Sequence, residues 1–397
     1  MKFSVLLPTR NRLEYLKYAV ETVLRQDYSN WEIIVSDNCS EEDILGYVQS
    51  LNDSRIVYIR THSFIPVTDN WNNALKNSTG EYVVMLGDDD GLLPKYFSKI
   101  IEAFDSFPNP DFVYVSAYFL AYPGVLPDSP NGFLRRDINK LLAGSAPFIL
   151  DTSVAVEVAK GYLDFSMPVA SNMQFSLISR RKIDELSING EFFKSPYPDF
   201  YATPMLFLRS SNILVYPLPM VIIGITPKSY GFFHFNNRAA EGVEFLKNKL
   251  REGCSEKILS IMLPGTSYND SWLLSNEALC ENYSGAFEIY PNYARYRFLQ
   301  IVHCYKKFHY DKALPLKEMH AIKSLMTIRE RLLYGTSMPV LFTFLRIIPI
   351  NLAHKAISFL RQLIGQHSIK EQLDANIRFE NLLEVYGYMN AQLNKGG

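Results

Sequence analysis

Three consecutive aspartates, Asp88, Asp89 and Asp90, directly follow an apolar run of the sequence and lie between two glycines. Adjacent carboxylates repel one another, and a hard divalent cation with oxygen ligands relieves that repulsion. In such a site Mg²⁺ or Mn²⁺ takes one or two carboxylates together with phosphate oxygens of a substrate. The aspartates therefore predict a divalent-cation site, for which the alternative is a solvated acidic turn.

The aspartates belong to a series of short apolar runs that alternate with helical patterns. The predicted strands are Phe3–Pro8, Trp31–Ser36, Arg55–Arg60, Glu81–Leu86 and Phe112–Ala117. Near-continuous apolar strands separated by helices indicate a mainly parallel sheet that is covered on both faces. Ligands of such sheets bind beyond the carboxyl ends of the strands, which draws attention to residues 8–12, 37–40 and 87–91.

Several other kinds of chemistry are excluded by missing motifs. The aspartates are consecutive, whereas an EF-hand alternates its ligands. No GxxxxGK[ST] sequence occurs, no GxGxxG follows the first strand, and no GxSxG elbow is present. The four cysteines, Cys39, Cys254, Cys280 and Cys304, form neither a CxxC pair nor a zinc-spaced set. P-loop, dinucleotide and nucleophile-elbow chemistry are therefore unsupported.

The composition is that of a large globular protein. Of 397 residues, 48% are hydrophobic and 20% are charged, which excludes the disordered, collagenous and coiled-coil classes. Forty Lys and Arg residues nearly balance 41 Asp and Glu residues, so no basic excess indicates a nucleic-acid partner. The first apolar run is too short for a signal peptide and is followed at once by arginines. These features, with few cysteines, predict a cytoplasmic protein.

Four segments together resemble family 2 glycosyltransferases, which have the GT-A fold. They are FSVLLPTRNR at 3–12, WEIIVSDNCSEE at 31–42, NWNNAL at 70–75 and GEYVVMLGDDDGLLP at 80–94. The resemblance implies an α/β, Rossmann-like catalytic domain over residues 1–235, with a nucleotide-sugar-binding half at 1–117 and an acceptor-side half at 118–235. Residues 236–397, whose pattern is largely helical and includes a candidate helix at Lys370–Leu393, are expected to form a helical C-terminal domain.

The resemblance also implies an activity and its partners. The chain is expected to be a metal-dependent, inverting glycosyltransferase that moves a sugar from a nucleotide-sugar donor, with UDP-sugars favoured, to a hydroxyl group. The acceptor would be a glycan or a lipid-linked glycan of bacterial surface-polysaccharide synthesis. The implied donor-binding residues are Pro8, Thr9, Arg10, Arg12, Asp37, Asn70, Asp88 and Asp89.

Metal ligands are implied by the same resemblance. The three aspartates take the place of the family's DxD motif, although Gly87 stands where the commoner form has an aspartate. Asp90 is the favoured ligand of Mn²⁺ or Mg²⁺, with Asp88 or Asp89 assisting. His234 lies where some GT-A enzymes supply a third ligand, and its alternative is a structural histidine.

Asp199 lies about a hundred residues after the acidic triplet, where the family places its general base. An acceptor hydroxyl loses its proton as it attacks the anomeric carbon, and a positioned carboxylate can take that proton. Without the resemblance, an aspartate beside a proline would be interpreted as a turn residue.

The C-terminal region is basic, with 13 Lys and Arg against 3 Asp and Glu over residues 291–370. Its apolar stretch carries Arg346, Pro339 and Pro349, so it is a poor membrane span. One interpretation is peripheral contact of residues 332–361 with an anionic membrane, at the inner face of the cell membrane. The other is a helical bundle that packs on the catalytic domain or on a second subunit of a homo-oligomer.

Two other functions are compatible with the same motifs. A nucleotide-sugar or glycan-binding module could keep the fold without catalysis. A nucleotidyltransferase also uses paired carboxylates on a related fold, but it usually carries a glycine-rich, lysine-containing loop after the first strand. Residues 8–12 contain no such loop.

Overall fold

The structure is a computed structural model that describes residues 1–127, 129–188, 190–235, 241–242, 244, 247, 254–283, 289–349, 351–353, 355–357, 369–372 and 378–395. The chain divides into two compact units. The first unit comprises Met1–Ala159, Val169–Asn248 and Ser368–Gly397, and the second comprises Lys160–Pro168 and Lys249–His367.

A mixed sheet forms the centre of the first unit. Its strands are β1 (Phe3–Thr9), β2 (Trp31–Asp37), β3 (Ile56–Arg60), β4 (Tyr82–Met85), β5 (Gly91–Leu92), β6 (Phe112–Ala121), β7 (Phe133–Ile138), β8 (Phe148–Ile149), β9 (Ser176–Ser179), β10 (Ile213–Ile225) and β11 (Ile369–Gln372). Along its main path the order is β11-β7-β6-β9-β4-β1-β2-β3, and β10 pairs with β5, β6 and β8. All five strands predicted near the N-terminus are present.

The strand directions explain where the polar segments meet. β1 is parallel to β2 and β4, and β2 is parallel to β3. β9 runs antiparallel to both β4 and β6, so the two halves of the sheet join through one reversed strand. The side chains of β2 are all buried, as expected of a strand with both faces covered.

Helices cover the sheet of the first unit. They are α1 (Leu13–Leu24), α2 (Ile44–Ser50), α3 (Val67–Lys76), α4 (Tyr96–Ser106), α5 (Thr152–Leu163), α6 (Arg180–Leu186), α7 (Pro198–Arg209) and α8 (Tyr230–Phe235). In α1 the residues Leu16, Val20 and Val23 are buried, at the spacing that places apolar side chains on one helical face. The predicted α/β class is confirmed.

The second unit is helical in its described residues. Its helices are α9 (Glu256–Ile261), α10 (Ser267–Tyr283), α11 (Tyr293–Tyr305), α12 (Leu316–Leu325), α13 (Ile328–Tyr334) and α14 (Ser337–Ile347). Ile301 and Tyr305 of α11 pack with Ile322 of α12 and Phe342 of α14 in a common apolar core. The predicted helical region after the catalytic domain is therefore present.

The end of the chain differs from the expected boundary at residue 236. The predicted helix Lys370–Leu393 does not begin at residue 370, because residues 369–372 form β11, which pairs antiparallel with β7 of the first unit. The last helix, α15 (Leu382–Lys395), also belongs to that unit. Leu382 and Val385 are fully buried in a cluster with Leu120 and Ile222 of the sheet. Apolar burial against the sheet, which a helical pattern alone does not reveal, assigns these residues to the first unit.

We expect Leu382→Ala to lower the free energy of unfolding of the first unit by about 2–5 kcal/mol, because it removes a fully buried side chain and leaves a cavity. Urea denaturation followed by the fluorescence of the chain measures this change. Leu45→Ala, at an exposed position of the same unit, is the matched control. Equal effects of the two substitutions would contradict the assignment of α15 to this core.

Candidate active site

The polar residues predicted to bind a ligand meet at the carboxyl ends of β1, β2 and β4. Thr9, the last residue of β1, is the register partner of Asp37, the last residue of β2. The acidic triplet follows β4, which lies on the other side of β1. Thr9 Oγ1 donates a hydrogen bond of 2.7 Å to Asp88 Oδ2. The structure thus brings together the N-terminal segments that sequence reasoning had selected.

A buried arginine holds the acidic triplet. Arg12 Nη1 lies 2.6 Å from Asp88 Oδ1 and 3.4 Å from Asp89 Oδ1. Its Nη2 donates to the backbone oxygen of Lys228. Burial alone would lower the pKa of Arg12, but attraction to Asp88 and Asp89 outweighs that effect and raises the pKa. Arg12 is therefore a permanent internal counter-charge for the triplet.

The second aspartate is held from two sides. Besides its contact with Arg12, Asp89 accepts a hydrogen bond of 3.2 Å on Oδ2 from Thr226 Oγ1. Burial raises the pKa of Asp89 to about 6, although the charge of Arg12 opposes this shift. Asp89 therefore exchanges its proton close to neutral pH.

The third aspartate, Asp90, lies inside the fold. Its Oδ1 accepts from the backbone N–H of Gly224 at 2.8 Å, and its Oδ2 accepts from Gly87 N at 3.1 Å and from Gln174 Nε2. Burial and the neighbouring charge of Asp89 raise the pKa of Asp90 well above its usual range. Through these hydrogen bonds, Asp90 connects β10 and the segment around residue 174 to the end of β4.

Two glycines make this packing possible. A Cβ atom on Gly224 would lie 1.9 Å from the backbone oxygen of Asp89, and one on Gly87 would lie 2.4 Å from Asp90 Oδ2. Neither position tolerates a side chain without a shift of its neighbours. The departure from the commoner DxD form at Gly87 has a physical reason: the Asp90 carboxyl occupies the space beside it.

The predicted cation ligands are already engaged by protein donors. Each oxygen of Asp88 and Asp90 accepts a hydrogen bond or contacts Arg12, and Arg12 supplies the positive charge that the sequence assigned to a cation. Across the described part of the chain, no three His, Cys, Asp or Glu side chains gather into a set that could hold a metal ion. These residues do not form a complete site for Mn²⁺ or Mg²⁺ by themselves.

Asp37, predicted to bind the base, is fully buried. Its Oδ2 accepts from Tyr58 Oη at 2.7 Å and from Arg60 Nη1 at 2.9 Å, while its Oδ1 accepts from Ser40 N at 2.8 Å. A carboxylate offers about four acceptor positions, so three of them are used within the fold. Contact between Asp37 and a base stays a prediction.

Arg10 is half-buried and follows Thr9, the last residue of β1. Its Nη1 donates to the backbone oxygens of Asn38 and Cys39, at 2.9 and 3.1 Å, and its guanidinium lies 3.9 Å from the ring centre of Phe64. The ammonium of Lys247 lies 4.6 Å from the same ring centre. Sequence reasoning missed Phe64 because no strand or motif marks it.

Three other residues were predicted to take part in the site. Asn70 accepts from Ser36 Oγ at 2.8 Å and donates to Ser36 O at 3.0 Å, so both of its polar atoms attach α3 to β2. Contact between Asn70 and the donor stays a prediction. His234 is in α8, but its side chain lies outside the described residues. Pro8 is in β1, half-buried beside Thr9.

Asp199, the predicted general base, is buried in the first turn of α7. Its Oδ1 accepts a hydrogen bond of 2.9 Å from the backbone N–H of Met173. Burial raises the pKa of Asp199 to about 7, although that hydrogen bond acts in the opposite direction. A carboxyl group with such a pKa can accept a proton and release it near neutral pH.

One short turn connects Asp199 to the acidic triplet. Met173, whose N–H reaches Asp199, is followed by Gln174, whose Nε2 reaches Asp90. Both residues belong to the 3-10 turn Met173–Phe175, which leads into β9. Gln174 Oε1 is buried and has no hydrogen-bond partner among the described atoms. No motif in the sequence marks Gln174.

Comparison with known proteins agrees with this geometry. Residues 4–139 match the family model described as "Glycosyl transferase family 2". This segment belongs to glycosyl transferase family 2. The glycosyltransferase segment contains β1, β2 and β4 and therefore carries Thr9, Arg12 and all three aspartates of the triplet.

Individual relatives are similar to part of this chain. The chain is 37% identical over 117 residues to a putative colanic acid biosynthesis glycosyl transferase of Escherichia coli K12, covering 29% of this chain and 42% of that protein. It is 38% identical over 104 residues to the "GalNAc(5)-diNAcBac-PP-undecaprenol beta-1,3-glucosyltransferase" of Campylobacter jejuni, covering 25% and 34%. The chain thus spans less than half the length of these relatives.

A solved structure extends further along the chain but is less similar. Residues 1–349 of S. aureus TarS align with 96% of this chain and 100% of that one, at 16% identity and a TM-score of 0.44.

We expect Arg12→Met to lower the free energy of unfolding by about 3–5 kcal/mol, because it leaves two buried carboxylates without their counter-charge. The loss should be smaller at about pH 5 than at about pH 8, since Asp89 can then take up a proton. Urea denaturation at the two pH values measures both effects.

Arg25→Met is the matched control for this substitution. Arg25 follows α1 and pairs with Glu21 at the surface, where such a pair contributes about 0–1 kcal/mol. An effect of Arg12→Met no larger than that of the control would show that the triplet does not depend on Arg12.

Proposed function

We propose that the chain transfers a sugar from a nucleotide-sugar donor to an acceptor hydroxyl, with inversion at the anomeric carbon. The observation that carries this proposal is the turn at Met173 and Gln174, which attaches Asp199 to the acidic triplet of the family 2 segment. Such a transfer requires that the proton acceptor and the bound donor are held in a fixed geometry relative to each other. Two consecutive residues, Met173 and Gln174, connect the two parts of this site.

Asp199 acts as the general base in this proposal. Its pKa of about 7 allows a substantial ionised fraction at neutral pH while keeping the carboxylate a strong enough base to accept a proton. The acceptor oxygen gives its proton to Asp199 as it forms the bond to the anomeric carbon, and the bond to the nucleoside diphosphate breaks. Attack from the side opposite the leaving group inverts the configuration.

The departing nucleoside diphosphate needs positive charge beside it. Arg10 is half-buried near the carboxyl ends of β1 and β2, and Arg12 already has two aspartates as partners. A Mn²⁺ or Mg²⁺ that arrives with the diphosphate would complete its coordination with phosphate oxygens, and Asp88 or Asp89 would be its protein ligands. Asp90, the ligand favoured by the sequence, fits this role less well because both of its oxygens accept backbone hydrogen bonds.

The names of the relatives suggest the acceptor. One relative is named for colanic acid biosynthesis, and the other is named for a glucosyl transfer to an undecaprenol-linked glycan. We infer a UDP-sugar as the donor, a lipid-linked glycan of a bacterial surface polysaccharide as the acceptor, and peripheral contact with the cytoplasmic face of the membrane that holds it. A thermal-shift screen of UDP-, GDP-, dTDP- and CDP-sugars tests the donor, because a ligand that binds the folded state raises its stability.

Asp199→Asn is expected to abolish sugar transfer and donor hydrolysis while leaving UDP binding unchanged. In the unsubstituted protein, kcat/KM should rise with pH and level off above an apparent pKa of about 7, because only the ionised carboxylate accepts the proton. Release of UDP from the donor that the screen identifies measures turnover. Asp184→Asn, at an exposed position of α6, is the control. Retained turnover in Asp199→Asn would refute the assignment of the base.

Stability gives an independent check of the same residue. The folded pKa of Asp199, about 7, lies above the unfolded value of about 3.9. Its contribution to stability is therefore complete below the unfolded pKa and is lost as the pH rises through about 7. The free energy of unfolding of Asp199→Asn should fall less between about pH 5 and about pH 8 than that of the unsubstituted protein.

We expect Mn²⁺ alone to leave the thermal unfolding midpoint unchanged, because the aspartates are engaged by Arg12 and backbone donors. UDP together with Mn²⁺ should raise the midpoint more than UDP alone, because the diphosphate supplies the missing ligands. Mg²⁺ is the parallel condition and a chelator is the control. A shift with Mn²⁺ alone would indicate a complete cation site, and equal shifts with and without Mn²⁺ would remove the cation from the proposal.

A further inference from the structure

Exposed apolar side chains are concentrated in one short segment of the second unit. Among the described residues, nine of the seventeen large hydrophobic side chains that are exposed lie between Leu316 and Leu352. Six of them are in α13 and α14, and we call five of these six the apolar surface: Ile328, Leu332, Val340, Phe344 and Ile347. Water-exposed apolar groups clustered in this way mark a surface that another phase or molecule covers.

α14 is apolar on two faces. Phe342 and Leu345 point into the core of the second unit, each with 3% of its surface exposed. Val340, Phe344 and Ile347 follow the spacing of one helical face, and their exposed fractions are 64%, 59% and 78%. The core therefore accounts for one apolar face of α14 and leaves the other in contact with water.

α13 has no buried residue at all. Ile328 and Leu332, one helical turn apart, are 79% and 78% exposed. Two contacts hold the N-terminal end of the helix: Thr327 caps the first turn, and Glu330 forms an ion pair of 2.7 Å with Arg297. Tyr334 packs against the core of the second unit, but packing within the unit does not explain why Ile328 and Leu332 are apolar.

The exposed charged side chains of α13 and α14 are all arginines. Arg329, Arg331 and Arg346 are exposed on the same two helices. The sequence contains no Asp or Glu between Glu330 and Glu371. Glu330, the nearest acidic residue, is neutralised by Arg297. Apolar side chains surrounded by arginines fit a surface that is apolar beneath and anionic outside.

These charges distinguish between two possible occupants. A second copy of the chain, packed through the same surface, would bring a second set of arginines against the first without carboxylates to pair them. An anionic bilayer accepts the apolar side chains at its acyl boundary and the arginines at its head groups. Among the described residues, no helix is both long and apolar enough to cross a membrane.

We propose that α13 and α14 dock onto the surface of an anionic lipid bilayer and lie in its interface. α14 has 11 residues, so it is about 16 Å long, which suits a helix lying along a bilayer whose apolar core is about 30 Å thick. The proposal rests on the proposed function only for its biological reason, a lipid-linked acceptor. Its physical argument, from exposure and charge, does not depend on catalysis.

The test is sedimentation of the full chain with vesicles. Vesicles of three parts phosphatidylcholine to one part phosphatidylglycerol should bind the chain, pure phosphatidylcholine vesicles should bind it much less, and high salt should weaken binding. The variant Val340→Ser/Phe344→Ser/Ile347→Ser should bind at least about tenfold less. Leu45→Ser/Leu259→Ser, at exposed apolar positions elsewhere, should bind as the unsubstituted chain does.

Two further measurements separate the possible explanations. The thermal unfolding midpoint of the triple serine variant should be unchanged, since none of the three side chains is buried. Arg329→Gln/Arg331→Gln/Arg346→Gln should lose the preference for anionic vesicles. Unchanged vesicle binding by the triple serine variant would overturn the proposal, and so would a dimer that this variant dissociates in light scattering.

Catalysis is measured separately so that the two proposals can fail independently. Asp199→Asn should bind vesicles as the unsubstituted chain does, because Asp199 lies in α7 of the first unit. The triple serine variant should release UDP from a soluble donor at an unchanged rate. Vesicle binding without turnover would leave the membrane proposal standing and refute the enzymatic one.

Discussion

The ion pair between Arg12 and the acidic triplet is the interaction on which the candidate site depends. Three adjacent carboxylates beyond the end of a buried strand would repel each other strongly if all were ionised and unpaired. Arg12 contacts Asp88 and Asp89, and Asp90 is withdrawn into the fold. One permanent positive charge and the burial of two carboxyls thus allow the triplet to exist at this edge of the sheet.

The same constraint organises the second half of the domain. Asp90 reaches the backbone of Gly224 in β10 and the side chain of Gln174, while Thr226 contacts Asp89. Each of these donors comes from residues more than eighty positions later in the sequence. The acidic triplet is therefore both a candidate ligand-binding element and the point at which the later strands attach to β4. A substitution there would disturb folding and binding together.

Much of this arrangement could be predicted from the sequence. The strands before Thr9, Asp37 and Asp88 are continuous apolar runs, and parallel strands bring their carboxyl ends to one edge. The position of Asp199 followed from resemblance alone. The partners of these residues could not be predicted, because Gln174 and Gly224 carry no motif and act through long-range contacts. The packing of α15 on the first unit could not be predicted for a similar reason, since only tertiary packing decides which core buries Leu382.

The sequence predicts a cation site at the acidic triplet, but a pattern of charged residues does not identify the group that compensates them. A run of carboxylates indicates that compensation is needed, but it does not specify whether a metal ion, an arginine or a bound proton supplies it. In this chain Arg12 compensates part of the negative charge before any ligand binds. The raised pKa values of Asp89 and Asp90 favour their protonated forms, which reduces that charge further. In the proposed reaction, a nucleoside diphosphate would add further negative charge to the same edge. The positive charge that accompanies it must then come from outside this network, because Arg12 is already committed to the aspartates.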